Sequence, residues 1–211
     1  MLNTSFIRVV VLACGLVRTC CASEPPKEIA IGEWSQSVSD NRGYAVRGRL
    51  VVAEKQTGHN PRQTAVYLDL QDASEHVGGT MRIFCDLGNS DFSGQNKTGL
   101  KCVMHDKDQR PVAFTSPPFG GATPDSRWIE LPSDSTIRLR TSPFGIHRPG
   151  AMTIATQVGQ VWVIDDQDHH DYFLSGTFSV DPVEGRSTVT DPQIWRGTLE
   201  LPAVKISNKA K

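Results

Sequence analysis

Acidic and histidine side chains are concentrated in one short loop, between two apolar runs of the chain. Residues 165–171 read D-D-Q-D-H-H-D. Carboxylate oxygens suit calcium, and mixed carboxylate and imidazole sets suit zinc, manganese or iron. Adjacent His169 and His170 diverge in an extended segment, so the spaced trio Asp166, Asp168 and His170 is the candidate metal site if the loop curls. The spacing does not match an EF-hand, and the competing interpretation, a solvated hairpin loop, is the one we favour.

Two cysteines form the second candidate site. Cys102 and His105 resemble a metal-ligand pair, but an offset of three places them on opposite faces of a strand. Cys85 and Cys102 each fall on the apolar face of a predicted strand. If cleavage after Ala22 removes the other three cysteines, these two remain, and an even number in an exported chain favours a disulfide. We therefore predict a Cys85–Cys102 bond that closes a hairpin.

Export is predicted from the first residues of the chain. Arg8 supplies a positive charge, and Val9–Val17 is an apolar run too short to span a bilayer. Small residues up to Ala22 suit cleavage there, so residues 1–22 are predicted to be a signal peptide. The mature protein is expected to be secreted, periplasmic or extracellular, with no later transmembrane segment. Lipid anchoring at Cys14 is the alternative.

Two similar turn segments form a third candidate site. Residues 115–120 read T-S-P-P-F-G, and residues 141–145 read T-S-P-F-G. Proline and glycine here predict turns, and the alternative is an aromatic ligand rim built from Phe119, Phe144 and His147. The sequence contains no G-x-S-x-G, phosphate-binding loop, dinucleotide fingerprint or H-E-x-x-H motif. Catalytic residues are therefore not predicted, and whether the chain is an enzyme stays open, with a non-enzymatic role favoured.

Arginines and tryptophans recur along the predicted strands. Arg47 and Arg49 point outward from one strand, and Arg138 and Arg140 from another. They would form a basic patch if the two strands were neighbours, but pairing with Asp and Glu on a solvated face is favoured. The tryptophans are predicted to anchor the core or its edge, with a sugar-stacking platform as the alternative. They are Trp34, Trp128, Trp162 and Trp195.

These side chains must be positioned by β-strands. Residues 172–180 alternate apolar and polar side chains with period two, and similar runs recur along the chain. About ten short strands are typical of a single antiparallel β-sandwich, immunoglobulin-like or jelly-roll-like. Runs at 161–164 and 172–180 are predicted to form a central hairpin. The sandwich is expected to span residues 29–204, after a flexible leader at 23–28 and before a frayed tail at 205–211.

Composition narrows the function. The formal net charge of the 211-residue chain is −1, and no basic stripe is visible, which argues against a nucleic-acid partner. We expect a non-enzymatic binding or structural module of the cell envelope or extracellular space, without a cofactor, whose partner is a protein or glycan. Recognition is expected in loops 116–125, 142–150 and 165–171. The alternative is a metal-dependent enzyme or metal-binding protein that uses the 165–171 loop and a divalent ion.

Overall fold

A computed structural model describes residues 27–55, 63–75, 79–85, 87, 99–115, 127–141, 148, 150–157, 160–165, 167–180 and 194–207. The strands are β1 (Lys27–Ile31), β2 (Val38–Ser39), β3 (Ala45–Lys55), β4 (Gln63–Asp72), β5 (Thr80–Cys85), β6 (Gly99–Asp106), β7 (Arg127–Pro132), β8 (Thr136–Arg140), β9 (Ala151–Gln157), β10 (Gln160–Asp165), β11 (Asp171–Val180) and β12 (Gly197–Ser207). Over these ranges the chain contains no helix, which confirms the predicted all-β class.

The largest sheet has seven strands, and the long strands β3 and β4 lie at its centre. β1 and β2 pair with successive parts of β3 along one edge. β8 and β9 pair with successive parts of β4 on the other side, and β10 pairs with β9. The β4–β9 pair is parallel, and the other pairs are antiparallel. Each long strand is therefore flanked on its outer side by two short strands in place of another long one.

The remaining strands form a three-stranded sheet, β12-β11-β6, and a two-stranded sheet, β5-β7. Inward side chains of all three sheets belong to one apolar core. The sheets approach closely where β12 crosses β3. A Cβ added to Gly48 would lie 2.9 Å from Leu201 and 3.2 Å from Leu199, so glycine is what allows this contact.

An irregular segment connects the three-stranded sheet to the seven-stranded sheet. The Val112 amide donates to the Met104 carbonyl of β6 (2.8 Å), and the Thr115 amide donates to the Val161 carbonyl of β10 (2.8 Å). The Trp162 indole N–H donates to the Val112 carbonyl (3.0 Å). The backbone of residues 112–115 therefore pairs with edge strands of both sheets.

The predicted Cys85–Cys102 hairpin and disulfide are wrong. Cys85 lies on β5, which pairs with β7, whereas Cys102 lies on β6, which pairs with β11. Both side chains are buried in the core, as their apolar neighbours indicated, but no disulfide joins them. Alternation correctly assigned each cysteine to an inward face. It could not show that the two strands belong to different sheets.

The predicted single sandwich and its central hairpin also need correction. The sheets formed by the described residues are antiparallel in the main, but they number three. The runs of the expected hairpin are β10 in the seven-stranded sheet and β11 in the three-stranded sheet, so residues 165–171 cross between sheets. β12 continues to Ser207 within the predicted tail, because Lys205 and Ile206 pair with β11.

Candidate functional site

The carboxylates of the 165–171 loop shape the loop itself. The Asp165 side chain accepts from the Gln167 amide (2.9 Å), and its carbonyl accepts from the Asp168 amide (2.9 Å). The Asp168 carboxylate accepts from the His170 amide (3.2 Å). Asp side chains commonly stabilise turns in this way. These bonds define how the chain passes from β10 to β11.

Asp168 is also linked to the beginning of β11. The Tyr172 hydroxyl donates to the Asp168 carboxylate, and this bond is the main reason that the pKa of Asp168 is lowered. Burial, followed by the Asp168 contact, raises the pKa of Tyr172 to about 12. A hydrogen bond that favours a carboxylate disfavours loss of the donor's proton. The pair therefore keeps Asp168 ionised and Tyr172 protonated near neutral pH.

The predicted metal trio is only partly within the described residues. Asp168 and His170 approach to 3.7 Å, whereas Asp166 lies outside the described residues. Asp171, next along the loop, binds Lys205 and Ser207 of β12, each at 2.7 Å. Across the parts of the chain with described side chains, no three His, Cys, Asp or Glu residues form a metal-binding group. The rim residues Phe119, Phe144 and His147 also lie outside the described residues.

The four outward arginines do share one surface. β3 carries Arg47 and Arg49, β8 carries Arg138 and Arg140, and β4 lies between these strands. All four point away from the core-facing side of the seven-stranded sheet. The surface they share also contains two aromatic rings, a carboxylate and an amide. We call it the arginine–aromatic face, and it consists of Trp34, Arg47, Arg49, Tyr67, Asp69, Gln71, Arg138 and Arg140.

Asp69 of β4 lies at the centre of this face, opposite Arg49 on one side and Arg138 on the other. Its carboxylate accepts from Arg49 Nε (3.1 Å) and, through both oxygens, from Arg138 Nε (2.6 Å) and Nη2 (2.9 Å). The hydrogen bond to Asp69 is the main cause of a raised Arg138 pKa. Because Asp69 is 1% exposed, water does not solvate its charge, and the two guanidinium groups compensate it instead.

Aromatic rings hold the arginines from the side. The guanidinium carbons of Arg49 and Arg47 lie 4.4 and 5.2 Å from the centre of the Trp34 ring. Arg138 lies 5.7 Å from the centre of the Tyr67 ring and also contacts Glu28 of β1. Cations at these distances are attracted to the ring faces. The side chains are therefore held in place by stacking as well as by hydrogen bonds.

The face carries more positive than negative charge. Arg49 and Arg138 contact the carboxylates of Asp69 and Glu28. Arg47 instead donates to the uncharged Gln71 amide (2.7 Å), and Arg140 is exposed. The side chains of Arg49 and Arg138 remain 25% and 39% exposed. The predicted pairing with acidic residues is thus confirmed for two arginines, while Arg47 and Arg140 have no acidic partner among the described residues.

The tryptophan prediction is confirmed in part. Trp162 and Trp195 are fully buried in the core, and half-buried Trp128 packs against Phe84 with ring centres 5.1 Å apart. Trp34 differs because it follows β1 in an irregular segment and stacks on arginines. Sequence reasoning also missed the role of Asp69. Its outward position on β4 was readable, but its arginine partners follow only from strand pairing.

Comparisons with known proteins add no relative. No protein family matches the sequence, and no curated protein or solved structure proved similar to it. A search of the described ranges for a helix long and apolar enough to cross a bilayer found none.

Proposed function

We propose that this chain is a non-enzymatic binding module, exported to the cell envelope or extracellular space, and that it binds its partner through the arginine–aromatic face. The observation that supports this most is the Arg49–Asp69–Arg138 arrangement on three adjacent strands, stacked against Trp34. Arginine and aromatic side chains contribute strongly to recognition when they are held in defined positions. Arg49, Asp69 and Arg138 lie on strands, which hold side chains more rigidly than loops do.

Limited conformational freedom is the physical advantage of this face. An arginine normally loses rotamer entropy when it engages a partner, which weakens binding. Here the guanidinium groups of Arg47 and Arg49 are already positioned by Trp34, Gln71 and Asp69. A partner therefore meets donors that are largely ordered before contact. Export is supported by Arg8, the short apolar run and the small residues up to Ala22.

The function is tested by binding to a panel of immobilised polymers. The panel contains neutral polysaccharides, acidic polysaccharides and extracellular proteins, probed with wild type, Trp34→Ala and Phe173→Ala. Phe173 is a matched control because it is a half-buried aromatic residue on the outer side of the three-stranded sheet. We expect Trp34→Ala to weaken binding and Phe173→Ala to leave it unchanged. Failure of the wild type to bind any polymer, or loss of binding only in Phe173→Ala, would refute the proposal.

A further inference from the structure

The chemistry of this face also identifies a class of ligand. We infer that the arginine–aromatic face binds an acidic polysaccharide whose carboxylate or sulfate groups are widely spaced along the chain. This inference rests on the proposed binding function and makes it specific. Three features support it. They are the positive charge of Arg47 and Arg140, which Asp69 does not bind, the spacing of these two arginines, and the aromatic rings beside them.

The uncompensated charge favours an anion. Arg47 has an amide as its hydrogen-bonding partner, and Arg140 is exposed at the end of β8. Separate acidic groups of a ligand can bind these two guanidinium groups without displacing any ion pair seen among the described residues. The planar guanidinium fork fits the two oxygens of a carboxylate or sulfate group. These two arginines are therefore the expected anchoring points.

Their separation indicates a long ligand. Arg47 lies opposite Gln71, and Arg140 lies opposite Tyr67, four residues away on β4. With ordinary strand geometry, their Cα atoms are about 14 Å apart along the strands and about 10 Å apart across them. A small anion cannot contact both. An extended polymer with separate acidic groups can.

The carboxylates of Asp69 and Glu28 leave this face with only a modest excess of positive charge, which selects against a densely charged polymer. Asp69 lies on the strand between Arg47 and Arg140 and binds Arg49 and Arg138, and Glu28 contacts Arg138 as well. Duplex DNA carries about one charge per 1.7 Å of its axis, far more than this excess could neutralise. A polysaccharide acidic at intervals can pass an uncharged sugar over this region instead. Tyr67 offers such a sugar an apolar ring with a polar hydroxyl group.

The test compares charge-matched variants. Arg47→Ala/Arg140→Ala removes the two anchors, and Lys101→Ala/Arg196→Ala removes two exposed cations elsewhere on the protein. Each double variant lowers the net charge by the same amount. Binding to dextran, sparsely sulfated dextran, hyaluronate, which carries a carboxylate on every second sugar, and single-stranded DNA is measured by biolayer interferometry at several salt concentrations. Circular dichroism checks folding, and Arg47→Gln/Arg140→Gln replaces the alanine variant if that variant is unfolded.

We expect wild type to bind sparsely sulfated dextran and hyaluronate, but not dextran, with an affinity that falls as salt rises. Loss of both anchors should weaken binding about 100-fold, since each charge-assisted contact contributes about a factor of ten. The Lys101→Ala/Arg196→Ala control should change it less than about twofold. Equal weakening by both double variants would refute the inference, because binding would then depend only on net charge.

Two further outcomes separate this inference from the proposed function. If dextran binds as tightly as sparsely sulfated dextran and Trp34→Ala abolishes both, the face is a binding site but its ligand is not acidic. If single-stranded DNA binds through Arg47 and Arg140 more tightly than the polysaccharides do, the ligand class is wrong. Both results would overturn the inference and leave the binding function intact. Failure of the wild type to bind any of the polysaccharides or proteins tested would refute the proposed binding function as well.

Discussion

The outer faces of the seven-stranded and three-stranded sheets differ in how their polar side chains are paired. On the three-stranded sheet, neighbouring polar groups pair locally: Thr177 donates to Glu200 (3.0 Å), and Ser179 contacts Thr198 (3.1 Å). On the seven-stranded sheet, Asp69 is buried beneath two arginines. Exposed pairs contribute little to stability, whereas a buried charge needs its partners. Of these two faces, the second therefore combines a buried carboxylate that needs its arginine partners with two arginines, Arg47 and Arg140, that have no acidic partner among the described residues.

The largest expected effect comes from removing the carboxylate at the centre of the arginine–aromatic face. Asp69→Ala leaves Arg49 and Arg138 close together without their shared counter-charge. We expect the free energy of unfolding to fall by about 3 kcal/mol, the low end for breaking a buried pair because both arginines are partly exposed. Urea denaturation measures it. The matched change Glu200→Ala on the other face should lower the free energy of unfolding by less than about 0.5 kcal/mol. An equal loss of stability in the two variants would contradict the difference between the two faces.

Glycines on the inner sides of the two sheets differ in the atoms that an added side chain would meet. A Cβ on Gly176 would lie 2.9 Å from the Lys101 carbonyl oxygen of β6, which is backbone and cannot rotate away. A Cβ on Gly48 would meet the mobile tips of Leu199 and Leu201. Overpacking of a core typically costs about 1–3 kcal/mol. We expect Gly176→Ala to cost about 2 kcal/mol and Gly48→Ala about 1 kcal/mol, and the reverse order in thermal denaturation would contradict the packing described.

Cys102 provides a pH-dependent test of the core beneath the three-stranded sheet. Burial raises the pKa of its thiol from 9.0 to about 12. Because the folded pKa exceeds the unfolded value, stability from the neutral thiol is complete below pH 9 and is lost between pH 9 and 12. Cys102→Ala should flatten the fall in unfolding free energy between pH 9 and 10, below the range where Tyr172 contributes. An unchanged slope would show that the thiol is accessible to solvent.

The smallest effect is expected in the loop that joins the two sheets. Tyr172→Phe removes the hydroxyl that lowers the pKa of Asp168. Stability from an acid with a lowered pKa is present above its unfolded pKa and is lost as pH falls through the folded value. The Asp168 pKa, followed by NMR titration of its carboxyl carbon, should rise toward the ordinary value in the variant. If it does not move, the tyrosine is not what favours the ionised carboxylate.

Local alternation predicted which side chains face the core but not which strands pair. Period two correctly placed Cys85, Cys102 and the outward arginines, because each depends only on its own strand. The absent disulfide and the split central hairpin both required knowledge of strand neighbours. Pairing of distant segments is decided by packing of the whole core, so no short window of sequence contains it.

The candidate site shows the same limit. The arginines were readable as outward residues, and their patch was conditional on strands that prove to be separated by β4. Trp34 was predicted to lie on a strand, but it lies in an irregular segment after β1 and stacks on arginines. The acidic loop was prominent in the sequence, yet its described carboxylates bind amides, Tyr172, Lys205 and Ser207. A concentration of ionisable residues therefore marked a turn, while the candidate face came from residues far apart in the chain.

The most direct test of recognition by the arginine–aromatic face is a ¹⁵N–¹H chemical-shift map during titration with a hyaluronate oligosaccharide. We expect the largest shifts at the Trp34 indole N–H and at amides of β3, β4 and β8. Shifts concentrated on β11, β12 or residues 165–171 would show that the ligand binds elsewhere and would contradict this account.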